Sequence, residues 1–224
     1  MRPTIVAIGG GGFSMEPEHP VIDEWILGLT GVARPRICFV PTASGDAAEY
    51  VQRFTAAFEA MDARPSHLSL FRRTGADLRD HVLRQHVIYV GGGNTPNLLA
   101  VWRVHGLDVI LREAYARGVL LAGISAGALC WFEGGVTDGF GGYAPLCDGL
   151  GLLRGSFCPH WDGESERQEI FHRAIAEGVL AEGIAADDGA AVRFTDGAPV
   201  EVFRSRPGAR ALRISADGAV RSVC

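Results

Sequence analysis

Short apolar runs alternate with longer amphipathic ones along most of the chain. Thr4–Ile8 reads as a strand that runs into the glycine run Gly9–Gly12. Val21–Leu29 reads as a helix, and Arg36–Pro41 as a strand with Ile37-Cys38-Phe39-Val40 at its centre. Between Ala47 and Met61 the apolar residues Val51, Phe54, Phe58 and Met61 recur at helical spacing. Ser66–Phe71 alternates as a strand does, and His86–Val90 is an apolar strand ending in Gly91-Gly92-Gly93-Asn94. Asn97–His105 and Gly106–Arg117 read as helices, and Gly118–Leu121 as the next strand. This βαβα alternation predicts a parallel sheet flanked by helices, in a single α/β domain over residues 1–224. From about Val192 the pattern changes. Ala191–Phe194, Pro199–Arg204 and Ala211–Ser215 are separated by Asp196-Gly197 and Pro207-Gly208. They read as antiparallel hairpin strands, giving a β-rich C-terminal end.

Composition adds limits. With 47% hydrophobic residues in 224, a sizeable core is expected. The net charge of -5 gives no reason to expect nucleic acid or an anionic membrane as partner. No apolar run reaches the roughly 18 residues that a membrane span needs. The N-terminal apolar run is too short for a signal peptide. Five cysteines (Cys38, Cys130, Cys147, Cys158, Cys224) include no metal-type Cys-x-x-Cys pair. No metal or other cofactor is expected. Cys38 and Cys130 lie in apolar segments and are expected as buried thiols, which fits a reducing cytoplasm.

The chemistry concentrates in residues 119–132. An apolar run ends in Gly123-Ile124-Ser125-Ala126-Gly127, and small, helix-forming residues follow. This is the pattern of a nucleophile elbow, a sharp strand-to-helix turn that projects a Ser hydroxyl above a sheet. The same string also occurs in ordinary strand–helix turns. Active residues of open α/β sheets gather at the carboxyl ends of the strands. Gly91–Thr95 is a second glycine-rich loop in that position. Taken alone it would read as a phosphate-binding or merely tight turn. Beside Ser125, an N–H of Gly93 and that of Ala126 would make an oxyanion hole.

A Ser hydroxyl needs a base. His67, His81, His86 and His105 fall in or beside elements of the first half, His19 in a polar loop and His172 in a charged helical stretch. His160 follows the apolar Phe157-Cys158-Pro159 and precedes Trp161-Asp162-Gly163, at a strand end or in a loop. Two acids are candidates to orient it: Asp138, thirteen residues after Ser125, and Asp188 in Asp187-Asp188-Gly189. Either also fits an ordinary turn aspartate before glycine. Residue types and spacing leave the choice open.

These motifs in this order resemble the peptidase E family of aspartyl dipeptidases and related cyanophycinases. The residues that carry the resemblance are Gly91-Gly92-Gly93-Asn94-Thr95, Gly123–Ala128, Thr137-Asp138, and Pro159-His160 with Gly163-Glu164. It runs from the first strand to about Phe194. It implies a fold like that of class I glutamine amidotransferase domains. It also implies a Ser nucleophile, the His after Pro as base, and an acid matching Asp188. Asp138 matches a further family aspartate implicated in activity. Asn94, Trp161 and Arg167 are then the expected substrate contacts. One departure matters. Aspartyl dipeptidases carry an Arg, in the helix after the histidine loop, that grips an N-terminal Asp side chain. Here Glu166 stands at that place and Arg167 one residue on. One residue turns a helical side chain by roughly 100°, so strict Asp-Xaa preference is not expected.

The reading reached is a serine dipeptidase acting on small peptides through Ser125, His160 and Asp188. A cyanophycinase-like or other small-amide or ester hydrolase ranks lower, because no obvious extra loops serve a polymer. An α/β-hydrolase esterase would use the order Ser125, Asp138, His160, yet too little chain follows His160 for that fold. An inactive amidotransferase-like binding domain is the non-enzymatic alternative. A glutaminase is disfavoured, because Ser holds the elbow and Cys130 lies five residues on. The expected partner is a small peptide substrate, and a homodimer is left open.

Overall fold

The protein is described here from a computed structural model that covers residues 2–72 and 77–223. Cys224 therefore lies outside the described residues. The strands are β1 (Thr4–Ile8), β2 (Arg36–Val40), β3 (Arg64–His67), β4 (Val87–Val90), β5 (Leu120–Ile124), β6 (Phe132–Thr137) and β7 (Ala144–Leu146). They continue as β8 (Leu153–Cys158), β9 (Gly183–Ala186), β10 (Ala190–Thr195), β11 (Ala198–Arg204), β12 (Ala211–Ile214) and β13 (Val220–Ser222). The helices are α1 (Gly12–Met15), α2 (Val21–Gly28), α3 (Ala48–Ala60), α4 (Leu78–Leu83), α5 (Thr95–His105), α6 (Leu107–Ala116), α7 (Ala126–Leu129) and α8 (Ser165–Ala176).

Seven strands form one sheet in the order β11-β10-β1-β5-β4-β2-β3. β1, β5, β4, β2 and β3 are parallel, and β10 and β11 extend the sheet antiparallel beyond β1. The central strands are buried along their whole length. That explains why they read as continuous apolar runs rather than alternating ones. A second sheet of six strands runs β13-β12-β9-β8-β6-β7, with β6, β8 and β9 parallel.

Two details differ from the sequence reading. Strand pairing with β2 ends at His67, and Ser69, Leu70 and Phe71 turn away. The Asp46 carboxylate takes hydrogen bonds from the Ser69 hydroxyl and the Leu70 and Phe71 N–H groups. A side chain thus satisfies the backbone that the alternation assigned to a ladder. The C-terminal strands also do not form one hairpin series. β10 and β11 pair with each other, but β12 leaves them and pairs with β9 in the second sheet. Asp187 anchors this departure. Its N–H donates to the Arg210 carbonyl, and its buried carboxylate accepts from the Arg210 N–H and Nε, both at 2.9 Å.

Apolar clusters bind the layers. One joins the first sheet to α5, α6 and the second sheet through Trp102, Trp131, Phe132 and Phe157. Another packs α2 and α3 on the opposite face through Phe13, Phe39, Tyr50, Phe54, Phe58 and Tyr89. Phe39 and Phe54 stack there with ring centres 4.5 Å apart. A third sets α8 against the second sheet through Cys158, Trp161, Phe171 and Ile175. Cys38, Cys130 and Cys158 are buried free thiols, and Cys147 is exposed. Burial pushes the Cys38 thiol up to about 12, which keeps it protonated and unreactive.

A buried acid supports the glycine run after β1. Asp23 on α2 is fully enclosed, and its Oδ2 accepts the Phe13 N–H at 2.5 Å. Burial pushes its carboxyl up from 3.8 to about 7, against the opposing hydrogen bond from Phe13. Between these values the folded chain holds a proton that the unfolded chain has lost. The unfolded state therefore binds fewer protons, and stability falls as pH rises from about 4 to about 7. Above that range the contribution is constant. Asp23→Asn keeps an acceptor for Phe13 and removes the titration. The melting temperature of this variant should fall less between pH 5 and pH 8 than that of the parent. Equal falls in the two proteins would show that Asp23 does not titrate in this range.

Candidate active site

Ser125 follows β5 and opens α7. Its backbone has φ 54° and ψ -115°, a sparsely populated conformation for a residue with a side chain. The flanking glycines make room for this turn. A Cβ on Gly123 would lie 2.0 Å from the Gly127 carbonyl oxygen, and one on Gly127 would lie 2.3 Å from that of Val90. The Ser125 N–H donates to the Ile8 carbonyl at 3.0 Å, which pins the turn to the end of β1. Ala126 begins α7, so its N–H has no partner within the helix.

His160 lies two residues beyond β8, also at positive φ (53°). Asp188 lies between β9 and β10, where the chain crosses from the second sheet to the first. His160 Nε2 is 2.9 Å from Ser125 Oγ, and His160 Nδ1 is 2.6 Å from Asp188 Oδ1. A carboxylate only accepts hydrogen bonds. Nδ1 therefore carries the proton and donates it to Asp188, leaving the Nε2 lone pair toward the Ser125 hydroxyl. Ser125 comes from one sheet, and His160 and Asp188 follow strands of the other.

Residues that the sequence reading passed over hold this chain of hydrogen bonds. A Cβ on Gly10 would lie 1.9 Å from Asp188 Oδ1 and 2.9 Å from His160 Nδ1. Only glycine leaves room there for the pair. Gly10 also accepts the Gly189 N–H at 2.7 Å. Asp162 Oδ1 accepts the Asp188 N–H at 2.9 Å, and Arg206 Nε donates to the Asp188 carbonyl at 2.8 Å. Arg206 also pairs with the other Asp162 oxygen. Partial burial works against the Asp162 charge. The Asp188 N–H and the Arg206 guanidinium outweigh it and hold the carboxyl below its ordinary value. The signals available in the sequence were a glycine run ending a strand and an acid two residues after His160.

The remaining candidate residues sit elsewhere. Asp138 lies in the turn after β6 with its side chain 62% exposed, and its nearest charged partner is Arg167 at 4.0 Å. It makes no hydrogen bond to His160 or Ser125 among the described residues. Arg167 is only 4% exposed. It donates to Glu164 and to the Val136 carbonyl, and its guanidinium lies 4.8 Å from the centre of the Tyr143 ring. Asn94 caps α5 by accepting the Asn97 N–H, and its amide donates to the Gly139 carbonyl at 2.9 Å. It thus ties the Asp138 turn to the Gly91–Gly93 loop. Trp161 is buried against Phe171 and His172, in the core under α8 rather than in a cleft wall.

Ser125 and His160 open into a cleft of about 270 Å³. Ser14, Tyr50, Arg53 and Gly93 line it with them. Tyr50 donates to Ser14 Oγ at 3.0 Å and accepts the Gly92 N–H at 3.4 Å. Gly93 makes no hydrogen bond through its N–H among the described residues.

The family model described as Peptidase family S51 matches residues 5–201. The uncharacterized peptidase YgaJ of Bacillus subtilis (strain 168) is 54% identical over 210 residues, which cover 94% of this chain and 91% of the relative. A crystal structure of a putative peptidase E protein from Listeria monocytogenes EGD-e superimposes with a TM-score of 0.67 at 18% identity, covering 91% of this chain and 99% of that one. A peptidase from an acI-B1 actinobacterium also gives 0.67, at 17% identity, covering 100% of this chain and 98% of the other. These two likenesses bear on the fold. With the family match over most of its length and a relative sharing more than half its residues, the chain belongs to peptidase family S51, a family of serine peptidases.

Proposed function

We propose that the protein is a serine dipeptidase that works through Ser125, His160 and Asp188 and forms an acyl-enzyme. The observation that carries this is the unbroken pair of hydrogen bonds, 2.9 Å from Ser125 to His160 and 2.6 Å from His160 to Asp188. In the first step Ser125 Oγ attacks the peptide carbonyl carbon while His160 Nε2 takes its proton. Asp188 stabilises the imidazolium through Nδ1–H. Negative charge develops on the carbonyl oxygen, and the N–H groups of Gly93 and Ala126 receive it. Such donors are worth several kcal/mol each, roughly 2.7–4 where measured. His160 then returns the proton to the leaving amine as the C–N bond breaks. Water, deprotonated by the same imidazole, releases the acyl group from Ser125.

Cleft size supports a small substrate. Ligand pockets for drug-sized molecules span roughly 300–1,000 Å³, and this one is about 270 Å³. Asp138 has a separate role in this reading. With Arg167 and the Asn94–Gly139 contact it shapes the loop beside the cleft.

Ser125→Ala removes one small polar atom and should leave the fold intact. Amide hydrolysis should fall by at least about 10³-fold in kcat. A variant keeping more than about a tenth of parental kcat contradicts the assignment. Asp188→Asn should lose roughly 10³–10⁴ in kcat with KM nearly unchanged. Asp138→Asn should act more mildly, and the opposite ranking would transfer the acid's role to Asp138.

Specificity follows from where the arginines are. Glu166 offers no cation, and Arg167 is bonded inside the fold. Asp-Xaa substrates should therefore be preferred over Asn-Xaa by no more than about tenfold in kcat/KM, which is roughly 1.4 kcal/mol. A thousandfold preference that Arg167→Ala abolishes would show that Arg167 reads the Asp side chain after all.

A further inference from the structure

Three arginines, Arg53, Arg167 and Arg206, differ in what holds them, and only Arg53 of the three lines the cleft. Arg167 is buried and bonded to Glu164 and the Val136 carbonyl. Arg206 is bonded to Asp162 and the Asp188 carbonyl. Arg53, on α3, has no carboxylate partner among the described residues, yet it lines the same cleft as Ser125 and His160. Its guanidinium carbon sits 5.1 Å from the centre of the Tyr50 ring. Tyr50 is itself fixed by Ser14 and Gly92. The cation thus rests on the cleft wall through a cation–π contact, which leaves its N–H donors free.

A free guanidinium matches a carboxylate, because its planar fork donates two parallel hydrogen bonds. Ser14 adds a further donor. Its Oγ accepts from Tyr50, so its own proton remains available. We propose that Arg53, with Ser14, binds a carboxylate of the substrate, namely the free C-terminal carboxylate of a dipeptide. This rests on the peptidase reading above and deepens it. A carboxylate held in so small a cleft sets a fixed distance to the scissile carbonyl. It selects a dipeptide over a longer peptide, whose next group at that place is a neutral amide.

The test compares Ala-Leu, its C-terminal amide, and the amides of Asp-Leu and Asn-Leu, with the parent and with Arg53→Gln. Arg53 is exposed, and melting curves check that the variant folds. The parent should cleave Ala-Leu better than its amide by about tenfold or more in kcat/KM, the difference lying in KM, as for a hydrogen bond to a charged group. Arg53→Gln should bring that ratio close to one. A ratio that survives in Arg53→Gln, or is absent in the parent, overturns the proposal. Discrimination of Asp-Leu amide from Asn-Leu amide that Arg53→Gln abolishes, without any effect on Ala-Leu, overturns the C-terminal assignment in favour of a side-chain carboxylate. Calorimetric binding of Ala-Leu and its amide to Ser125→Ala separates the two readings. An Arg53-dependent difference in binding, with no turnover by the parent, keeps the carboxylate site and removes the peptidase. Turnover without such a difference keeps the peptidase and removes the carboxylate site.

Discussion

The backbone at the carboxyl end of β1 bonds to both halves of the candidate active site, and the rest of the arrangement depends on it. The Ile8 carbonyl accepts the Ser125 N–H at 3.0 Å, and the Gly10 carbonyl accepts the Gly189 N–H at 2.7 Å. One short segment therefore fixes the elbow that follows β5 and the turn that carries Asp188. Together with the Asp162 and Arg206 contacts to the Asp188 backbone, that anchor sets the 2.9 and 2.6 Å contacts of His160. The bareness of Gly10 is part of the same constraint, since a Cβ there would occupy the space of the Asp188 carboxylate.

The anchor has energetic consequences elsewhere. Ser125 and His160 both adopt positive φ, at 54° and 53°. Conformations of this kind cost of order 1–3 kcal/mol each and persist only where the surroundings over-determine them. The surroundings here are the aromatic cluster under β1, the apolar cluster between the sheets and, beside His160, the cluster of Cys158 and Trp161 under α8. Asp23 is a second cost. It closes the glycine run by accepting the Phe13 N–H, but it does so as a fully buried carboxyl. Rigidity at the end of β1 is thus bought with local strain and one buried acid.

β1, β4 and β5 were legible because each is buried along its whole length and so reads as an apolar run. The elbow was legible because its glycines and small residues are demanded by close backbone packing. The second sheet was not. β6 holds Glu133, Gly134 and Gly135 within six residues, so neither alternation nor an apolar run marks it. The change of partner at β12 was hidden as well, because it depends on Asp187 meeting Arg210 across 23 residues. At the site, residue types named Ser125 and His160, while spacing left Asp138 and Asp188 equal. Three-dimensional proximity separates those two acids, since Asp188 reaches the imidazole and Asp138 lies in an exposed turn. Arg167 and Trp161 looked available for substrate only because sequence carries no record of burial. Asp162 and Arg206 act on the Asp188 backbone, a contact that no local motif announces.

The central claim is that Ser125 is a nucleophile activated by His160. Labelling with a fluorophosphonate, followed by mass spectrometry of the digested protein, tests it most directly. The account predicts a single phosphonyl adduct on the peptide containing Ser125, formed far more slowly in His160→Ala. An unmodified Ser125 under conditions that label a control serine hydrolase, or an adduct on another residue, would contradict it.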